Sequence, residues 1–294
     1  MDYSLKDLQL LAEREFTVED TRKDLTALTK WFCDQPEQEH YLQVAMVNER
    51  RIPMATAKEQ KVFFVDDEMV TGWLPEEFRS ESLGFVRGNI VTFAGRLVYP
   101  VMDNKGEVMG FCGWDKVNKP KYLDSHNQGY KAKKTTFYGM EKLPEYYRNN
   151  LPVYLPEGIV CCLYLRSKGF QAFAALGSNL TPYVLTILRR FSDRLIVIPD
   201  NDTIGKITGK VQKDDKGEVI RVEHTLTSQK TSGESFVQQV KRELPKARVL
   251  QSSVAKDIDD TRKADDGKYE EKLLADLKNV AINPFSKLDV LRLR

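Results

Sequence analysis

Glu157 and Asp200-Asn201-Asp202 each follow a short apolar run, Val153-Tyr154-Leu155 in the first case and Leu195-Ile196-Val197-Ile198 in the second. Runs of this kind read as strands buried in a parallel sheet, and ligands gather where such strands end. Carboxylates alone form an oxygen-only donor set, which suits Mg²⁺ or Mn²⁺. Asp257, in Lys256-Asp257-Ile258-Asp259, follows a further run at Ala247–Leu250 and is expected at the same edge. Clustered carboxylates stay ionised together only when a cation or hydrogen bonds compensate their repulsion. Any one of these acids reads equally well as a helix cap or a solvated loop residue. Three such elements at successive strand ends read as a cation site.

A second chemical feature is basic. Residues 116–134 carry Lys116, Lys119, Lys121, Lys131, Lys133 and Lys134 against the single acid Asp124, in a chain of 294 residues whose net charge is only +2. A local positive stretch on a nearly neutral protein points to a polyanion bound at one place. Cys33, Cys112, Cys161 and Cys162, with three scattered histidines, have no zinc-ribbon spacing and read as reduced, mostly buried thiols. At 41% hydrophobic and 30% charged residues the composition is that of a soluble globular protein. No apolar stretch reaches bilayer length and the polar N-terminus lacks a signal core, so a cytoplasmic location without membrane contact is expected.

Helices are expected at 4–14, 19–33 and from Gln38 to the Arg51-Ile52-Pro53 stop, and strands at 61–66, 90–93, 96–102 and 107–113. Asp103-Asn104-Lys105-Gly106 is a hairpin turn between the last two. After 150 the texture alternates. Strands at 153–155, 172–176, 195–198 and 247–250 are separated by helices at 160–167, 182–191 and 234–244, which implies parallel βαβ units. A polar hairpin is expected over 206–231, with Asp214-Asp215-Lys216-Gly217 at its tip, and a terminal helix over 269–294. The expected fold class is α/β: an α+β subdomain over 1–150, a domain with a mostly parallel sheet over 151–262, and a helical segment over 263–294.

Taken in order, these elements resemble a known family. Strand-Glu157-Gly158, then Leu176-Gly177-Ser178-Asn179-Leu180-Thr181, then strand-Asp200-x-Asp202-x-x-Gly205, then Lys256-Asp257-x-Asp259 is similar to the Toprim domain of DnaG-type and bacteriophage primases. Upstream, Arg96 to Val101, Val108 to Gly113, Pro120-Lys121-Tyr122-Leu123-Asp124-Ser125 and Phe137-Tyr138-Gly139 resemble the basic part of the same polymerase core, and Tyr41-Leu42 with Arg51-Ile52-Pro53 resembles its early helix. The resemblance covers roughly residues 40–260.

It implies a DNA primase, a nucleotidyltransferase making RNA primers on single-stranded DNA from NTPs for DNA replication. By position, Glu157, Asp200 and Asp202 are implied as catalytic, and with Asp257 as holding Mg²⁺ or Mn²⁺. Arg96, Lys121, Tyr122, Lys133 and Lys134 are implied as meeting template or nucleotide. The chain departs from the pattern at Cys161, where the family reads an acid, and at Trp114, where it reads arginine. With neither zinc ribbon nor helicase P-loop in the sequence, a replicative helicase and a separate zinc-binding or single-stranded-DNA-binding protein are the expected partners, as for a stand-alone phage primase. Two alternatives stay open: a Toprim nuclease using the same acids on water, and an inactive single-stranded-DNA-binding replisome component.

Overall fold

The computed structural model describes residues 21–88, 90–117, 120–125, 136–177, 180–200, 206–213, 219–227, 236–250, 257–263 and 267–282. The chain divides into two compact units, Met1–Asn149 with Arg166–Gly169, and Asn150–Leu165 with Phe170–Arg294.

In the first unit, strands β1 (Phe63–Val65), β4 (Arg96–Met102), β5 (Val108–Trp114) and β6 (Tyr122–Asp124) form an antiparallel sheet in the order β1-β4-β5-β6. A separate small ribbon pairs β2 (Val86–Arg87) with β3 (Ile90–Val91). Every residue of β4 and β5 is buried, so their sequences show no polar alternation. Residues 21–33 are helical, and Leu25, Leu28 and Phe32 pack into one core with Phe63, Phe85, Phe93 and Phe111. The β4–β5 turn forms as its sequence predicts. Asp103 accepts the Lys105 and Glu107 amides at 2.8 and 3.0 Å, and Gly106 supplies the left-handed φ of 82°. Gly113 is required by contact: a Cβ there would lie 2.5 Å from Phe93 Cδ1.

The second unit is built on a parallel sheet of β7 (Val153–Pro156), β8 (Gln171–Ala172), β9 (Leu195–Ile198) and β12 (Arg248–Val249), in the order β12-β9-β7-β8. The chain leaves β7 through the helix Ile159–Ser167 toward β8 on one side, and from β9 it continues to β12 on the other. The order therefore reverses between β7 and β9, and the carboxyl ends of those two strands are where such sheets bind ligands. The sequence expectation of a strand at 172–176 is met by a shorter β8. Its pairing runs on, however, since the Phe173 and Ala175 amides donate to the Tyr154 and Pro156 carbonyls at 2.9 and 3.1 Å.

Pro182–Leu188 continues as a 3₁₀ turn to Phe191, and Thr181 caps it by accepting the Val184 amide. Strands β10 (Lys206–Lys213) and β11 (Val219–Thr227) form the expected hairpin, whose tip at 214–217 lies outside the described residues. The helix Glu270–Ile282 docks on the sheet, where the Tyr154 hydroxyl donates to the Leu277 carbonyl at 2.7 Å. The helix expected at 4–14 lies outside the described residues.

Candidate active site and nucleic-acid-binding residues

Parallel register places the acids. Pro156 on β7 pairs with Ile198 on β9, so Glu157 stands one residue past its strand and Asp200 two past the other, at the reversal point. Both are half-buried, and the Asp200 amide donates to Glu157 Oε1 at 3.0 Å. That bond fixes one carboxylate oxygen of Glu157 against the backbone of Asp200. Asp202 lies outside the described residues.

Asp257 heads the helix Ile258–Lys263. Its Oδ1 accepts the Asp260 amide at 2.8 Å, and its carbonyl accepts Thr261 N and Oγ1 at 2.9 and 2.6 Å. Part of its carboxylate thus serves as a helix cap. Among the described residues, no three His, Cys, Asp or Glu side chains stand close enough together to hold a metal ion.

Cys161 is buried in the same unit. It lies in the buried helix Ile159–Ser167, and its thiol pKa is pushed well above the ordinary value, first by burial and then by the charge of Asp257. Asp259 and Asp200 add smaller upward contributions, while a hydrogen bond with the Asp259 backbone works the other way. The charges of Asp257 and Asp200, remote from each other in sequence, both act on this one buried thiol. Asp259 is engaged elsewhere: Arg262 and Lys263 both bind its carboxylate.

In the first unit, Arg96 is only 6% exposed and its Nη1 donates to the Pro120 carbonyl at 3.0 Å. The next carbonyl, that of Lys121, accepts the Asp115 amide at 2.9 Å. These two bonds fix the backbone of the segment leading into β6. The side chains of Lys121 and Tyr122 are exposed, the tyrosine by 45%. Trp114 lies beside Tyr122 in the β5–β6 register, buried, with the Arg50 guanidinium 4.1 Å above its ring. Lys116 pairs with Glu49 at 3.5 Å.

Arg50 was not among the residues the sequence pointed to. Its one signal was adjacency to Arg51-Ile52-Pro53; the stacking on Trp114 depends on tertiary structure. Lys133 and Lys134 lie outside the described residues. Tyr138 is buried, as a core residue would be.

Comparison with known proteins bears on the family and the fold. Residues 41–144 match the family described as the DNA primase catalytic core, N-terminal domain. The DNA primase of Clostridium acetobutylicum is 33% identical over 120 residues, covering 39% of this chain and 19% of that protein. This chain therefore matches about a fifth of the length of that curated relative. Among solved structures, the E. coli primase catalytic core aligns with a TM-score of 0.59 at 20% identity, over 88% of this chain and 79% of that one. The DnaG primase catalytic domain bound to single-stranded DNA aligns with a TM-score of 0.60 at 19% identity, over 89% and 81%. Residues 41–144 are thus similar to the N-terminal domain of the DNA primase catalytic core, and the fold is similar to that of the DnaG catalytic core.

Proposed function

We propose that this chain is a primase catalytic module that joins ribonucleotides into short RNA primers on single-stranded DNA by divalent-metal-dependent nucleotidyl transfer. The observation that carries the reading is the meeting of Glu157 and Asp200 at the sheet's reversal point, in a chain whose residues 41–144 match the primase core. The donor chemistry fits a hard cation: Glu157, Asp200 and Asp257 offer carboxylate oxygens, with Asp202 next in the chain. Mg²⁺ or Mn²⁺ bound there supplies the positive charge that a developing pyrophosphate and a 3′-hydroxyl nucleophile require. Glu157 and Asp200 would hold such an ion from the ends of their strands, with Asp257, at the head of its helix, as a further carboxylate.

Arg50, Lys116, Lys121 and Tyr122 meet template or nucleotide, with cations on phosphates and the tyrosine ring against a base. Lys133 and Lys134 are proposed to share that role on the sequence resemblance alone. Arg96 supports it from beneath by holding the Pro120 carbonyl. The choice of template is supported by the similarity to a DnaG catalytic domain bound to single-stranded DNA. Among the described residues no helix is long and apolar enough to cross a membrane. A cytoplasmic site of action is part of this reading. A replicative helicase and a zinc-binding or single-stranded-DNA-binding protein are the partners this reading proposes.

The test is incorporation of labelled NTPs on single-stranded DNA with and without Mg²⁺ or Mn²⁺, using the wild type and Asp200→Asn. Metal-dependent RNA products from the wild type, lost in the folded variant while DNA binding persists, are expected. Template cleavage without synthesis would overturn the reading in favour of a nuclease.

A further inference from the structure

Arg262 is 1% exposed and heads the fully buried side chains in size. It comes from the charged sequence Asp259-Asp260-Thr261-Arg262-Lys263, which on its own reads as a solvated surface. Its Nη2 donates to Asp259 Oδ1, and its guanidinium lies 4.5 Å over the ring of Tyr164. The Tyr164 hydroxyl in turn donates to Glu270 Oε1 at 2.9 Å. Lys263 takes the second oxygen of Asp259 at 2.8 Å. The chain of contacts thus joins three helices: Ile258–Lys263, Ile159–Ser167 and Glu270–Ile282.

The first of these has six residues, too few to hold its own orientation without tertiary contacts. It is also the helix that Asp257 caps. The second begins two residues after Glu157. We propose that Arg262 is a positioning residue that locks the Asp257-bearing helix to the helix following Glu157 and so sets where the Asp257 carboxylate stands at the cation edge. This rests on the metal reading given above. A buried ion pair is a weak source of net stability compared with apolar packing, but it fixes geometry through its directional bonds. Its two cations also commit Asp259, which leaves Asp257 as the acid of the Asp257-Ile258-Asp259 triplet that serves the edge.

The experiment is Mn²⁺ binding by electron paramagnetic resonance of the free ion, in the full chain. The proteins compared are the wild type, Arg262→Lys, and the paired apolar replacement Arg262→Met/Asp259→Leu, each checked for folding by circular dichroism. Arg262→Lys keeps the charge but loses the planar fork and the stacking. Dissociation constants about tenfold weaker are expected in both folded variants, as for other groups that orient metal ligands. Primer synthesis in the variants is expected to return toward the wild-type rate at high Mn²⁺, a raised metal requirement that a purely structural role would not produce. If the paired variant fails to fold, Arg262→Lys decides. Wild-type Mn²⁺ affinity in a folded variant overturns the positioning role and leaves the metal reading intact. A wild type that binds no Mn²⁺ overturns the metal reading itself, and the positioning role with it.

Discussion

Replacing Lys121 by alanine is expected to flatten the salt dependence of single-stranded DNA binding, whereas replacing Arg96 is expected to weaken binding without flattening it. Both cations serve one segment, but from opposite sides of its backbone chemistry. Lys121 projects an exposed ammonium from a backbone held by the Asp115 amide, so it can displace a counterion from a phosphate. Arg96 is buried and spends its Nη1 on the Pro120 carbonyl. Each phosphate contact on a single strand contributes about 0.7 to the slope of log K against log salt. Across a fourfold rise in salt, the loss of one contact therefore changes the affinity ratio between variant and wild type by about 2.6-fold. Losing Lys116 as well is expected to lower the slope by about 1.4 and to change the ratio about sevenfold. Arg96→Gln loosens the segment that presents Lys121 and Tyr122, which lowers affinity by one factor at every salt concentration. Fluorescence anisotropy with a labelled single-stranded oligonucleotide, titrated from about 50 to about 200 mM salt, measures both effects. A wild-type slope in Lys121→Ala would refute the phosphate contact. A slope loss in Arg96→Gln equal to that in Lys121→Ala would refute the supporting role and make Arg96 a direct phosphate ligand.

Two further outcomes follow from the packing. Burial raises the Tyr154 phenol from its ordinary 10 to about 12, with the Arg248 charge opposing. A folded-state pKa above the unfolded one stabilises the protonated form. This contribution is complete below about pH 10 and is lost as the pH rises through about 12, at most about 2.7 kcal/mol at 1.36 kcal/mol per unit. Tyr154→Phe also removes the hydroxyl bond to the Leu277 carbonyl, so it is expected to cost about 1 kcal/mol at neutral pH and to lose less stability than the wild type between pH 10 and 12. Urea melts along that range measure the difference, and parallel pH profiles for the two proteins would refute it. Arg51 is exposed and holds a left-handed φ of 49°. Arg51→Gly is expected to stabilise the first unit by about 1 kcal/mol through relief of that strain, and an unchanged or lower denaturation midpoint would count against it.

The elements legible in the sequence were those set by local pattern. β4 at 96–102 and β9 at 195–198 are apolar runs bounded by turn residues, and the structure begins and ends them where those turns fall. The β4–β5 turn was legible because Asp103 and Gly106 carry its geometry within four residues. β6 was not legible: Tyr122–Asp124 has three residues and no alternation, and it becomes a strand only because β5 offers an edge to pair with. The meeting of Glu157 with Asp200 followed from placing both at strand ends, and parallel register supplied the rest. Arg50 over Trp114 and Arg262 over Tyr164 were hidden for one reason. Each is a charged residue beside other charged residues, and only tertiary packing reveals that its guanidinium lies on a buried ring.

Cys161 draws these observations together. An acid at this position would be an ionised carboxylate buried among the charges of Asp257, Asp259 and Asp200, and it would need a cation or several donors to remain charged. The thiol avoids that cost. The same surroundings that would destabilise a carboxylate only raise the thiol's pKa, keeping it protonated and neutral at physiological pH. The helix Ile159–Ser167 can then bury Ile159 to Leu165 beneath the acidic edge without ionic compensation. Glu157, Asp200 and Asp257 are half-buried, where solvent screens part of their repulsion, and the buried Asp259 is compensated by Arg262 and Lys263. In this arrangement the buried helix adds no charge of its own at Cys161 for a cation to balance, and the cost of bringing acids together falls on the acids themselves.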